Sequence, residues 1–273
     1  MRKLLIATII LTLSFTGSLY AAGGVAVFPN RIEIKDGKNN SEIRLINKGQ
    51  EDVTYRVSLQ NLRMDENGIY KEITESEKEP LERFATTFIR YSPKRITVKA
   101  NQVQTVRIMV DTKSLDDGEY RSHILFREES PSSLGVENNI ENIKDKNKKI
   151  SVVLKPLFGV SVPIIIQKGV LEAKVQFSDI LQKDEQIAFS LNRQGDKSEY
   201  GDVKAYVKIS GKEIKVGELN GASLLYPYPK RNFVLNLEST ADIAGKKISE
   251  LDIYLKFFSK DGSKLLAEGL LKR

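Results

Sequence analysis

His123 is the one histidine of the chain and cysteine is absent, so the side chains that most often carry nucleophilic, acid–base and metal chemistry are almost missing. Thiol catalysis and histidine-rich metal centres are excluded, and a Ser-His-Asp arrangement has only His123 to use. In EYRSHILF, His123 alternates with Ser122 and Ile124 and reads as a surface position of a strand. No Asp or Glu stands in the apolar context that would raise its pKa for glycoside chemistry, and no glycine-rich phosphate loop follows a strand. The chain therefore reads as a non-enzyme, with no catalytic residue, metal ligand or cofactor expected.

The other residue with chemistry to offer is Lys155. It is the single charge in VVLKPLFGVSVPIII, residues 152–166, in a chain that is otherwise 29% charged. A cation covered by another chain requires an anion, and a carboxylate would serve. The alternative is a lysine that reaches solvent at a domain rim. As an extended strand, residues 150–162 place Val152, Leu154, Phe158 and Val160 on one face and Val153, Lys155, Leu157 and Gly159 on the other, both largely apolar. Such a strand is either central in a core or faces its own core with one side and something else with the other. Pro156 and Pro163 favour a sheet edge, where a foreign strand can pair main chain to main chain.

The elements that must hold this segment are strands. Val53, Tyr55, Val57 and Leu59 alternate with Thr54, Arg56, Ser58 and Gln60, and the same period recurs at Val106, Ile108 and Val110, at Leu171 to Phe177, at Val203 to Ile209 and at Leu251 to Phe257. Turn sequences such as KDGKNN, DENG, DDGE and KDGSK separate them. No long segment has a helical period, although SEKEPLERFATTF has room for a short turn. The expectation is an all-β protein of two Ig-like sandwiches, residues 23–166 and 167–273. Residues 128–149, rich in Asn, Lys, Glu and Ser, read as a mobile loop.

The first residues, MRKLLIATIILTLSFTGSLYAAGG, combine a basic start, an apolar stretch and a small-residue end. Residues 1–22 are read as a cleaved secretory signal, so the mature chain is expected outside the cytoplasm, with no stable membrane insertion after cleavage. Without cysteine, stability rests on packing rather than disulfides. The 43 basic and 36 acidic residues are spread along the chain, the pattern of a solvated surface rather than of a nucleic-acid partner.

Several segments together resemble the PapD-like periplasmic pilus chaperones. They are FPNRIEI, INKGQEDVTYRVSLQ, IRYSPKRITVKANQVQTVRIMV, DGEYRSHILFRE and VVLKPLFGVSVPIII, with a fainter likeness in VGELNGASLLYPYPKRNFVLNL. The most specific piece runs from Ser92 to Arg107. The resemblance implies two Ig-like domains around a cleft, a periplasmic location, pilin-like subunits as partners and delivery to an outer-membrane usher. It also implies donor-strand complementation, the strand addition used by such complexes. Carried onto this sequence, Arg31 and Lys155 grip the subunit's C-terminal carboxylate, and Ile150, Val152 and Leu154 are the donated side chains. The run KPLFGVSVP departs from the family, which has polar and basic residues where Gly159 and Val162 stand, and the disulfide of its longer-looped branch is absent. The alternative is an exported Ig-like scaffold or binding module, for which LLYPYPKR, with Tyr226, Tyr228, Lys230 and Arg231, offers a small aromatic-basic contact surface. The competing reading of that segment is the rim of a strand pair.

Overall fold

The computed structural model describes residues 24–35, 37–129, 159–238, 243 and 245–272. Of the loop expected at 128–149, Glu128 ends a strand and residues 130–149 lie outside the described residues, as do Ile150, Val152, Leu154 and Lys155 and the signal segment 1–22.

The regular secondary structure of the described residues is almost entirely strand. In order these are β1 (Val25–Phe28), β2 (Ile32–Ile34), β3 (Asn40–Asn47), β4 (Val53–Gln60), β5 (Leu62–Met64), β6 (Tyr70–Glu72), β7 (Ile89–Ser92), β8 (Arg95–Val98), β9 (Val103–Val110), β10 (Gly118–Glu128) and β11 (Gly159–Lys168). They continue with β12 (Ala173–Lys183), β13 (Gln186–Gly195), β14 (Glu199–Ile209), β15 (Lys212–Leu224), β16 (Lys230–Asn236), β17 (Ile253–Ser259) and β18 (Leu265–Leu271). The only helical turns among the described residues are short 3-10 turns at Glu75–Glu77 and Ile248–Glu250.

Two sheets, ordered β1-β3-β9-β7 and β2-β11-β10-β4-β8, face each other in the first sandwich; β12-β13-β16 and β15-β14-β17-β18 form the second. The all-β, two-sandwich expectation is borne out. Period two explains each sheet: Ile43 and Leu45 on β3, Tyr55 and Val57 on β4, and Val106, Ile108 and Val110 on β9 all point into the first core. In the second, Val203, Ala205 and Val207 on β14 meet Ile253, Leu255 and Phe257 on β17. β12 carries a bulge between Ser178 and Leu181, beyond the alternation read at Leu171 to Phe177, and Leu181 is exposed.

All the pairings between named strands are antiparallel except one. β2 runs parallel to β11 for three residues, Ile32 to Ile34 beside Ile164 to Ile166. Along its whole length β11 also pairs with β10, from Gly118 opposite Lys168 to Arg127 opposite Gly159. The downstream end of the apolar run is therefore central, and residues 159–163 just before it have a single neighbouring strand among the described residues. Pro163 stands at the changeover, where the second edge needs no ladder donor. Val162, Ile164 and Ile166 enter the first core, while Ile165 turns the other way and joins Met64 and Leu225 in a separate small cluster against Tyr228. The two apolar faces of this strand thus serve two different bodies: its own core and the second sandwich.

Candidate functional site

The face of the β2-β11-β10 sheet that Ile165 occupies is turned toward the second sandwich. On β10 the even residues Tyr120, Ile124 and Phe126 fill the core, so Glu119, Arg121 and His123 share the opposite face. All three are buried, with exposures of 2%, 5% and 3%. This corrects the surface position expected for His123: the second sandwich and the β5–β6 hairpin cover a face that a lone sandwich would leave wet. The Tyr70 ring stands edge-on to His123, 5.3 Å between centroids. Burial, reinforced by the charges of Arg121 and Arg31, pushes the His123 imidazole down to about 3.

Three polar connections cross this seam. In the first, Glu82 is buried and receives a two-pronged guanidinium from Arg63, Nε to Oε1 at 2.8 Å and Nη2 to Oε2 at 2.6 Å. The Tyr228 hydroxyl, from the second sandwich, donates to Glu82 Oε1 at 2.7 Å, and Arg121 Nη2 donates to that hydroxyl at 3.2 Å. Burial alone would raise the Glu82 carboxyl. The hydrogen bonds from Arg63, the Glu79 amide and Tyr228, with the Arg63 charge, outweigh it and hold the group at about 2.

The second connection is Glu119. Its Oε2 accepts the Ser198 amide at 2.7 Å and the Gln167 side-chain amide at 2.9 Å, and its Oε1 accepts the Ser198 hydroxyl. That hydroxyl oxygen accepts the Tyr226 amide at 2.8 Å. Arg193 braces the same turn from behind, donating to the carbonyls of Gly195 at 2.7 Å and Pro227 at 3.1 Å. The segment LLYPYPKR is thus neither a free contact surface nor a mere rim: Leu225 and Tyr228 spend their side chains on the first sandwich.

Arg31 makes the third. It immediately precedes β2, at the point where β2 leaves β11, and its side chain is 9% exposed. Its Nε donates to Glu33 at 2.8 Å, its Nη1 donates to the Ser223 hydroxyl at 3.3 Å, and its guanidinium lies 4.6 Å over the Tyr200 ring. Arg231 holds the other side of Ser223, donating Nη1 to its carbonyl at 2.8 Å, beneath a tight turn at Gly68. Gly68 has φ +84, and a Cβ there would meet Arg231 Nη2 at 2.5 Å, so the turn and the arginine fit only without a side chain.

Of the residues expected to act, Arg31 is placed at the mouth of the seam; Lys155, Ile150, Val152 and Leu154 lie outside the described residues. Sequence reasoning missed Arg121, Glu82, Glu119, Tyr200 and Ser223. One signal was available. The strand EYRSHILF carries Glu, Arg and His on one face, and a strand whose other face fills a core yet ends between two domains can bury those charges against a neighbour.

No family model matches the chain, and no curated protein matches it. Solved structures do align. A chain of the CsuC–CsuE chaperone–tip adhesion subunit pre-assembly complex from the Csu pili of Acinetobacter baumannii matches at 15% identity, over 90% of this chain and 96% of that one, with a TM-score of 0.47. The Pseudomonas aeruginosa CupB2 chaperone matches at 11% identity over 91% and 98%, TM-score 0.45. The YadV chaperone matches at 13% identity over 92% and 100%, TM-score 0.42. At these values the reading of function rests on the residues themselves.

Proposed function

We propose that this protein is a periplasmic chaperone that binds pilus or pilus-like subunits by donating a strand to them and delivers them to an outer-membrane usher for assembly. The observation that carries the reading is the fork at Arg31. Upstream of the three-residue pairing with β2, β11 presents one edge with no partner among the described residues, and a nearly buried guanidinium sits where that edge opens. An open edge supplies main-chain hydrogen bonds to an added strand, and a cation at its end sets register by gripping a terminal carboxylate. The sequence resemblance supports the same assignment, with Lys155 as second cation and Ile150, Val152 and Leu154 as the side chains inserted into the subunit. Burying such residues at about 25 cal/mol per Å² contributes several kcal/mol, so affinity and alignment come from different groups. No nucleotide or metal enters the mechanism.

The test is co-expression with a pilin-like subunit that is insoluble alone. Wild type should keep a subunit soluble and co-purify with it, and Arg31→Ala combined with Lys155→Ala should abolish recovery. Equal recovery with the double variant would overturn the proposal.

A further inference from the structure

We infer that the outer face of the β1-β3-β9-β7 sheet rests on an anionic lipid surface. The inference stands apart from the chaperone reading. The second sandwich covers the outer face of the opposite sheet, where Glu119, Arg121 and His123 are buried, and leaves this one to solvent. On β1, Val25 and Val27 pack against the first core, so Phe28 points outward and is 65% exposed. On β9, Val106, Ile108 and Val110 fill the core, while Val103 and Met109 stand outside at 51% and 61%. Ile46 of β3, half-buried, lies opposite Val103 and one row along from Phe28. A lone apolar residue on a surface needs no explanation, but three large ones on one flat face form a patch.

The charges on the same face are one-sided. Register puts Arg44 beside Phe28 and Arg90 beside Met109, and Arg107 is the outward position before Met109 on β9. Glu42 alone answers them, 3.6 Å from Arg107, whose side chain stays 81% exposed. Among the described residues, Arg44 and Arg90 have no carboxylate partner. The outer face of the second sandwich's four-stranded sheet is built differently. There Lys215 meets Glu218 at 2.7 Å and Lys256 meets Glu213 at 2.8 Å, the balance of a solvated surface. Exposed apolar groups set among unanswered cations instead complement a layer that is anionic at its surface and apolar just beneath. The cations are arginines, whose planar fork takes two oxygens of a lipid phosphodiester. Strand spacing holds neighbouring arginines roughly 8 Å apart, about one Debye length at physiological salt, so they attract such a surface together.

Vesicle sedimentation of the exported chain tests this. The protein should sediment with vesicles of mixed phosphatidylglycerol and phosphatidylcholine, stay in solution with phosphatidylcholine alone, and leave the anionic vesicles as salt is raised. Arg44→Gln combined with Arg107→Gln should lower binding on the order of tenfold or more. Phe28→Ser combined with Met109→Ser should lower it at constant charge. All four side chains are at the surface, so the fold tolerates these changes. Lys174→Gln combined with Lys183→Gln, at exposed positions of β12, takes the same charge from the second sandwich and should leave binding unchanged. Equal loss with the two charge-removing pairs would mean that overall charge, not this face, draws the vesicles, and overturns the site. Equal sedimentation with neutral and anionic vesicles overturns it as well. A chain that ignores anionic vesicles also overturns the proposal and leaves the face to an acidic protein partner.

Discussion

The Tyr228 hydroxyl of the second sandwich donates to the Glu82 carboxylate of the first at 2.7 Å, across 146 residues of sequence. Glu82 is 1% exposed, so every oxygen lone pair it keeps must be matched inside the protein. Tyr228 also accepts from Arg121, and one hydroxyl therefore ties a carboxylate and a guanidinium from the first sandwich to the turn at residues 225–228.

Tyr228→Phe keeps the ring and removes the tie. Glu82 and Arg121 each lose a partner while remaining buried, for an expected cost of about 1–3 kcal/mol. Urea unfolding followed by circular dichroism should show the unfolding free energy falling by that amount. A variant as stable as wild type would mean that the hydroxyl contributes nothing to the seam.

The pH dependence of stability should carry the signature of His123. Its folded-state pKa, about 3, lies below the ordinary 6.5. The unfolded chain therefore takes up a proton that the folded chain refuses, so the contribution is complete above 6.5 and is lost as pH falls from there toward 3. Unfolding free energies from urea titrations between about pH 7 and about pH 5 should decline in wild type, with a slope of at most about 1.4 kcal/mol per pH unit. His123→Gln should flatten that decline. An unchanged slope would show that the imidazole is wet.

Gly201 is set against β17 so closely that a Cβ would lie 1.7 Å from the Phe258 carbonyl oxygen. Gly201→Ala must therefore push β14 off β17 beside the bulge between Gly201 and Val203, and should cost more than the roughly 1–3 kcal/mol of ordinary overpacking. Gly159→Ala is the matched control: its Cβ would have only ordinary contact, with Leu125 at 3.6 Å. Thermal melts should separate the two clearly, and equal melting temperatures would refute the close approach.

The strands were legible because burial on one face imposes period two locally, as Val53 to Leu59 and Val203 to Val207 demonstrate. The seam was not. Arg31 meets Ser223 across 192 positions and Arg121 meets Tyr228 across 107, and nothing near Arg121 or Glu82 in the sequence announces a partner so distant. His123 was misplaced for the same reason: alternation shows which face of β10 a residue occupies but not that a second body covers that face. The two apolar faces of β11 were visible as a pattern, and only the fold shows that Ile165 faces the second sandwich rather than solvent.

The way Leu225 and Tyr228 are keyed into the first sandwich bears on protein engineering. The rear sandwich is not a cassette that can be exchanged at the junction after Lys168. A graft from another protein would need a hydroxyl where Ser198 offers one to Glu119, a phenol reaching Glu82 and a small residue shared by Arg31 and Arg231. Without them the recipient inherits stranded charges in place of a joint.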